Sequence, residues 1–171
     1  MYLNALIHIF NQKIIVKRND FLKQHDTIDT RIYLIKTGSL KISIYQEDEE
    51  QIVRFGYAGD LIVALDSFIN DKRSDFMIQA IKKSEVWFAD KRDFFNFIYS
   101  SKVNTELYIR ILEDLVLQQI EREKDLLLIS PKERYQRVLH RNPKLFQIIP
   151  HKYIANYLRM TPETLSRLKK Y

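Results

Sequence analysis

The first hundred residues of the chain show the hydrophobic pattern of short β-strands. Apolar, β-branched and aromatic side chains come in short runs, several of which alternate with polar residues. Segments rich in Gly, Asp, Asn and Glu separate these runs and are typical of turns. The pattern predicts an antiparallel barrel or sandwich. The predicted strands are Lys13–Lys17, Ile32–Ile35, Leu40–Tyr45, Gln51–Phe55, Phe76–Ile81 and Glu85–Phe88, and the predicted turns are Thr37–Ser39, Glu47–Glu50, Ala58–Asp60 and Asn70–Asp71.

Helical spacing replaces the strand pattern after residue 90. Asp90 is a candidate N-cap for a helix over Lys91–Tyr99, whose Phe and Ile side chains would pack on the strands. A long helix is predicted from Val103 to Ile129, and at 1.5 Å per residue it would extend about 40 Å. Ser130–Glu133 has the form of a capping box with Pro at the first helical position. This box predicts a hinge and a new helix that ends near Asn142–Pro143.

The long helix carries an apolar stripe that Gln119 and Glu123 interrupt, so its heptad register is ambiguous. A helix of this length between two domains is too exposed to be an ordinary core helix. We therefore favour pairing with a second copy of the chain, as a homodimer, over packing against its own domain. The residues predicted to form the dimer contact are Leu112, Leu115, Val116, Gln119 and Ile120.

The last twenty residues predict two short helices joined by a tight turn. Thr161 is a suitable N-cap for the second helix, and Pro162 suits its first position. Arg159 lies where such a turn usually has glycine, because the backbone there is left-handed; keeping arginine in that conformation costs about 1 kcal/mol. The apolar residues expected between the two helices are Ile154, Ala155, Leu158, Leu165 and Leu168.

The second of these helices presents polar side chains on its other face. A helix that exposes Glu, Thr, Ser and Arg near its N-terminus can hydrogen-bond base edges in the major groove of double-stranded DNA. We interpret the pair as a helix-turn-helix and the protein as a DNA-binding regulator. The residues predicted to bind DNA are Thr161, Glu163, Thr164, Ser166, Arg167, Lys169, Lys170 and Arg159.

The distribution of charge supports this interpretation. From Ser130 to Tyr171 the chain has ten Lys and Arg against Glu133 and Glu163, a net charge of +8. Residues 1–129 contain 18 Lys and Arg and 20 Asp and Glu, a net charge of −2. The overall +6 therefore belongs to the C-terminal quarter, and a local basic excess is typical of a phosphate-binding surface.

Composition limits the remaining choices. A hydrophobic content of 46% with 29% charged residues is that of a folded soluble protein. No apolar run is long enough to span a membrane and no signal peptide opens the chain, so we expect a cytoplasmic protein without membrane contact. Cysteine is absent, which excludes disulfides, thiol redox sensing and cysteine-ligated metal sites. The expected domains are residues 1–100, 101–129 and 130–171.

Enzymatic interpretations find little support. The four histidines are scattered rather than clustered, so a cupin-type metal site is not expected. With three glycines there is no phosphate-binding loop, and no Ser or Cys nucleophile motif occurs. We expect neither catalysis nor a metal. The competing interpretation is a degenerate ligand-binding or protein-interaction module with a vestigial DNA-binding tail.

The order of elements and several motifs resemble the Crp/Fnr family of bacterial transcription regulators, in the branch common in Bacteroidetes-type bacteria. The matching segments are Tyr33–Ile42, Phe55–Ile62, Ser130–Tyr135, Pro150–Leu158 and Thr161–Arg167. The resemblance implies an α+β protein. Its parts would be an N-terminal antiparallel β-roll (a cyclic-nucleotide-binding-like jelly roll), a long dimerisation helix and a C-terminal all-α helix-turn-helix domain. It also implies promoter DNA and RNA polymerase as partners.

The stretch that binds the cyclic phosphate in such relatives is degenerate here. After Gly59-Asp60, the family's glutamate position is Ala64, and its arginine and serine positions are Ser74 and Asp75. A shift of one residue would restore Arg73 and Ser74 but not the glutamate. A carboxylate for the ribose hydroxyl and an arginine for the phosphate are what the chemistry requires. We therefore expect no response to cyclic nucleotides and no resident cofactor, and leave open a different small-molecule effector. The residues of this degenerate cassette are Gly59, Asp60, Ala64, Arg73, Ser74 and Asp75.

Overall fold

The computed structural model describes residues 6–169 of the 171-residue chain. It divides into two compact units, Met1–Ile111 and Leu112–Tyr171. The first unit is a β-roll flanked by helices, and the second is helical. No helix in the described part of the chain is both long and apolar enough to cross a bilayer.

The β-roll contains six strands in the described part of the chain, and all their pairings are antiparallel. Their order is β1-β6-β3-β4, with β2 on β6 and β5 on β3. The predicted antiparallel jelly roll within an α+β protein is confirmed. The strands are β1 (Gln12–Val16), β2 (Phe21–Lys23), β3 (Arg31–Gln46), β4 (Glu49–Tyr57), β5 (Leu61–Ile62) and β6 (Met77–Asp90).

Two predicted interruptions are wrong, because β3 and β6 are each continuous. The segment around Gly38, predicted as a turn, is a bulge within β3, where the pairing with β6 changes register on both sides. Gly38 has a φ of +92°, and a Cβ there would lie 2.2 Å from the Ser84 Oγ. Only glycine combines this backbone with so close a neighbour, so the strand bulges and continues instead of reversing.

Other local predictions fared unevenly. The turns at Glu47–Asp48 and Gly59 are confirmed by positive φ angles, as is the helix end at Asp71. The strands β2 and β5 and the helix α1 (Leu65–Asn70) were missed, since pieces this short carry no periodicity. The helix α2 (Lys91–Tyr99) has the predicted bounds, although the Asp90 side chain makes no capping hydrogen bond.

Two apolar clusters hold the first unit together. One fills the roll and includes Tyr33, Ile35, Leu40 and Ile42 of β3. The other joins the roll to the helices and includes Phe68 of α1 and Phe94 of α2. The rings of Phe68, Phe94, Phe95 and Tyr108 lie 5.4–5.8 Å apart, at distances that favour aromatic contact.

The long helix α3 (Lys102–Leu127) ends two residues before its predicted end and buries one residue, Asp125. Of the residues predicted for dimer contact, Leu112 and Leu115 are half-buried, and Val116, Gln119 and Ile120 are exposed. Val116 is 55% exposed and Ile120 is 41% exposed, so an apolar face of α3 is open in the single chain.

The helical unit continues with α4 (Pro131–Arg141), α5 (Pro143–Ile148), α6 (His151–Tyr157) and α7 (Pro162–Leu168). Three of them begin with Pro after an N-cap whose side-chain oxygen accepts a backbone hydrogen bond. Ser130, Asn142 and Thr161 are these caps, and the first confirms the predicted start of α4. The buried apolar residues of the unit are Val138, Leu145, Ile149, Ile154, Ala155, Leu158 and Leu165.

Candidate nucleic-acid interface

The helices α6 and α7 are the two short helices joined by a tight turn that the sequence predicts. Ile154, Ala155 and Leu158 are fully buried on the first helix, and Leu165 is fully buried on the second. Ala155 is small enough for α7 to cross close to α6. Thr161 accepts a hydrogen bond from the backbone N–H of Thr164 at 3.2 Å and so fixes where α7 begins.

The turn between the two helices is left-handed at Arg159, with a φ of 55°, so the usual geometry is kept although the residue is not glycine. The Arg159 N–H donates to the Asn156 carbonyl and the Met160 N–H donates to the Ala155 carbonyl, both at 3.0 Å. These two hydrogen bonds form a Schellman motif, which usually has glycine at the left-handed position. The turn thus has the usual backbone hydrogen bonds, although arginine in a strained conformation takes the place of glycine.

Three polar side chains of α7 are open to solvent. Glu163, Ser166 and Arg167 are exposed, Thr164 is half-buried, and Thr161 is exposed with its hydroxyl used in the cap. Lys169 follows the helix, is exposed, and contacts His151. Lys170 lies outside the described residues. On this surface, Glu163 and Arg167 are four residues apart and therefore share a face of the helix.

The charge state of Glu163 suits a hydrogen-bond acceptor. Its own backbone N–H, the Thr161 hydroxyl and the Arg167 charge lower the pKa of its carboxyl. The group is therefore ionised throughout the neutral range and accepts hydrogen bonds only. An exposed carboxylate next to an exposed guanidinium can address a cytosine amino group and a neighbouring guanine.

Three of the ten cations in residues 130–171 bond groups within the protein, so the basic excess of this segment does not all lie on its surface. Arg134 is 8% exposed and bonds backbone carbonyls. Arg137 and Arg141 pair with acids of α3. The other described cations of the tail are exposed: Lys132, Lys144, Lys152, Arg159, Arg167 and Lys169.

These internal contacts form a cluster that we call the arginine junction: Arg122, Arg134, Arg137 and Arg141 with Glu121 and Asp125. Arg137 Nε and Arg141 Nη1 donate to Asp125 Oδ1 at 3.0 and 2.9 Å, and Arg137 also pairs with Glu121. The sequence signal for it is complementary spacing, because two acids four residues apart on α3 meet two arginines four residues apart on α4. We did not predict this cluster.

Two arginines of the junction reach the end of α6. Arg134 Nη1 donates to the Leu158 carbonyl at 2.8 Å, and its Nη2 donates to the Leu128 carbonyl at 2.7 Å. Arg122 Nη2 donates to the Tyr157 carbonyl at 2.5 Å, and its guanidinium carbon lies 3.7 Å from the centre of the Tyr157 ring. The turn between α6 and α7 is thus bonded to side chains of α3 and α4.

The first half of the degenerate cassette has an intact turn but no carboxylate at the family's position. Gly59 has a φ of +97°, and Asp60 Oδ2 accepts a hydrogen bond from the Tyr57 N–H at 2.9 Å. Ala64 is buried at the start of α1 and offers no polar group. In residues 6–169, no three His, Cys, Asp or Glu side chains are grouped so as to hold a metal ion.

The second half of the cassette is tied to the loop before β3. Arg73 Nη1 donates to the Asp26 carbonyl at 2.7 Å and to the Asp26 carboxylate at 3.0 Å. Ser74 is buried and its Oγ accepts from the Phe76 N–H at 3.1 Å. Asp75 is exposed beside His25. The arginine and serine that could serve a phosphate are therefore engaged within the protein.

The family model of the cyclic nucleotide-binding domain matches residues 13–101. No curated protein sequence matches the chain significantly.

Several solved structures share the fold. A CooA mutant from Carboxydothermus hydrogenoformans has a TM-score of 0.73 at 19% identity, over 93% of this chain and 74% of that one. FixK2 from Bradyrhizobium japonicum has a TM-score of 0.74 at 18% identity, over 93% and 82%. The c-di-GMP responsive global regulator CLP from Xanthomonas campestris has a TM-score of 0.68 at 12% identity, over 99% and 89%. The protein therefore belongs to the cyclic nucleotide-binding domain family, and its fold is that of the Crp/Fnr regulators.

Proposed function

We propose that this protein is a dimeric transcription regulator that binds promoter DNA through α7. The observation that carries the proposal is the division of α7 into two faces. Leu165 is fully buried against α6, while Glu163, Ser166 and Arg167 are exposed together on the outer side. RNA polymerase is the expected further partner, since regulation requires contact with the transcription machinery or exclusion of it.

The size and chemistry of α7 fit a major groove. The seven residues Pro162–Leu168 extend about 10 Å at 1.5 Å per residue, within a groove about 12 Å wide. Arg167 would donate to a guanine and Glu163 would accept from a cytosine amino group at a neighbouring base pair. Thr161, Thr164, Lys169, Lys170 and the turn residue Arg159 are proposed to contact the sugar–phosphate backbone, which positions the helix without reading sequence.

Dimerisation follows from the open face of α3 and from the geometry of DNA. Val116 and Ile120 leave apolar surface exposed in the single chain, and pairing with a second copy would bury it. A two-fold dimer presents two recognition helices about 34 Å apart, one helical turn of DNA. The expected operator is a palindrome whose half-site keeps a G and a C at adjacent positions.

The β-roll is proposed not to respond to cyclic nucleotides. Ala64 offers no acceptor to a ribose hydroxyl, Arg73 is bonded to Asp26, and Asp75 adds a negative charge where a phosphate would approach. Among proteins of this fold, CLP responds to c-di-GMP, so the fold does not dictate one effector. The roll of this chain would serve another ligand or act as the scaffold of the dimer.

Selection of binding sites from random DNA tests the proposed function. The wild-type protein should enrich a palindrome, and Arg167→Ala should lose about 1–3 kcal/mol and its preference at one guanine. Arg92→Ala removes an arginine whose side chain is 87% exposed on α2 and serves as the control. Enrichment of no sequence by the wild type would refute DNA reading and favour the ligand-binding or interaction module. An unchanged motif with Arg167→Ala would refute the assignment of Arg167 alone.

A further inference from the structure

The end of α6 is a place where backbone groups need partners. The last carbonyls of a helix have no intrahelical donors, and they form the negative end of its dipole. In this protein Arg122 and Arg134 donate to the carbonyls of Tyr157 and Leu158 there. Since Arg134 also bonds the Leu128 carbonyl, one guanidinium joins α4, the end of α6 and the residues that follow α3.

These hydrogen bonds act on the element that sets the direction of α7. The turn contains Arg159 in a left-handed conformation that arginine does not favour. A strained turn stays in one conformation only when the surrounding structure fixes it. Here the fixing groups come from α3 and α4, outside the helix-turn-helix itself.

Burying parts of Arg122 and Arg134 at the end of α6 costs free energy, which indicates that these side chains fix an arrangement rather than add stability. Arg122 Nη1 and Arg134 Nε are buried without hydrogen-bond partners. Burial lowers the pKa of Arg122, and the nearby charges of Arg159 and Arg134 lower it further. Well-packed apolar side chains would stabilise a domain at least as well as such buried charges, whereas charged hydrogen bonds fix one arrangement.

We propose that Arg134 and Arg122 are positioning residues for DNA reading, which hold the turn of the helix-turn-helix so that α7 meets the groove at one angle. This inference rests on the proposed DNA-binding function. It concerns residues that touch no DNA themselves. Their removal should therefore affect specific binding and leave the electrostatic attraction to any DNA unchanged.

Arg134→Lys and Arg122→Lys are the sharpest variants, because lysine keeps the charge but lacks the planar fork that bonds two carbonyls or stacks on a ring. Lys132→Arg, at an exposed position of α4, is the matched control that also conserves charge. Two quantities are measured for each protein. One is the ratio of affinities for the selected palindrome and for random DNA at several salt concentrations, and the other is amide hydrogen exchange at Arg159 and Met160.

The expected result is a loss of about tenfold in specific affinity for each Arg→Lys variant, with random-DNA affinity and salt slope as in wild type. Exchange at Arg159 and Met160 should accelerate about tenfold, while Lys132→Arg changes neither quantity. An unchanged ratio of the two affinities, whether both fall equally or neither falls, would overturn the positioning role. Unchanged exchange would overturn it as well, whatever the DNA result. Absence of DNA binding by the wild type would instead refute the proposed function, and the exchange measurement would still decide whether these arginines hold the turn.

Discussion

Replacing Arg159 by glycine should stabilise the protein while weakening its binding to DNA. Arg159 has a φ of 55°, a conformation that costs a non-glycine residue about 1–2 kcal/mol. Glycine removes this strain but gives the unfolded chain more freedom, which offsets about 0.5–1 kcal/mol. The net gain in the free energy of unfolding is therefore between about 0 and 1.5 kcal/mol, with a middle value of about 0.8 kcal/mol. Arg159 is also exposed, so its loss removes one cation that can meet a phosphate.

Urea unfolding and a DNA titration together test this reasoning. Arg159→Ala is the matched comparison, because alanine removes the same charge yet keeps the strained backbone. The glycine variant should unfold at higher urea than the alanine variant, and both should reduce the salt slope of DNA binding by about one. A glycine variant no more stable than the alanine variant would refute the claim that the turn stores strain. A salt slope equal to that of wild type would refute the phosphate contact.

Three further outcomes are expected. Leu112→Lys combined with Val116→Lys should give monomers that do not bind the palindrome; a wild type that already sediments as a monomer at micromolar concentration would contradict the dimer. Asp125→Ala should destabilise the helical unit by about 1–3 kcal/mol, because it removes the buried carboxylate that accepts hydrogen bonds from Arg137 and Arg141, whose own side chains are 37% and 32% exposed; thermal unfolding measures this, and a loss below about 0.5 kcal/mol would show that the pair contributes little. Calorimetry with cyclic AMP and cyclic GMP should detect no stoichiometric binding, and a tight 1:1 isotherm with either nucleotide would contradict the proposed insensitivity.

The fold was largely predictable because each long element carries its own local pattern. The strands alternate, the helix α2 has its predicted bounds, and the capping box at Ser130 marks the start of α4. The position of the left-handed residue, Arg159, could also be located, since such a turn usually has glycine four residues after the small alanine, here Ala155. These are short-range features, and the sequence displays them directly.

What escaped prediction depends on contacts between distant segments. Residue type alone does not distinguish Arg134, which is buried, from the exposed Lys132 two residues before it. Which of the tail cations face solvent depends on what α3 places opposite them, and Asp125 is the residue that decides this. The candidate base readers Glu163 and Arg167 remain predictions, which rest on an exposed helix face.

The bulge at Gly38 changes which residues of β3 face the inside of the roll, from odd-numbered to even-numbered positions. Before it the side chains that fill the roll are the odd-numbered Tyr33 and Ile35, and after it they are the even-numbered Leu40 and Ile42. If the pairing with β6 slips by one residue, the side chains on one side of the bulge can still fill the roll, but those on the other side then face away from it. The extra residue therefore fixes the register of β3 against β6, and pairings in another register gain little from hydrophobic burial during folding. Deleting Gly38 would remove this constraint on register without changing any core side chain.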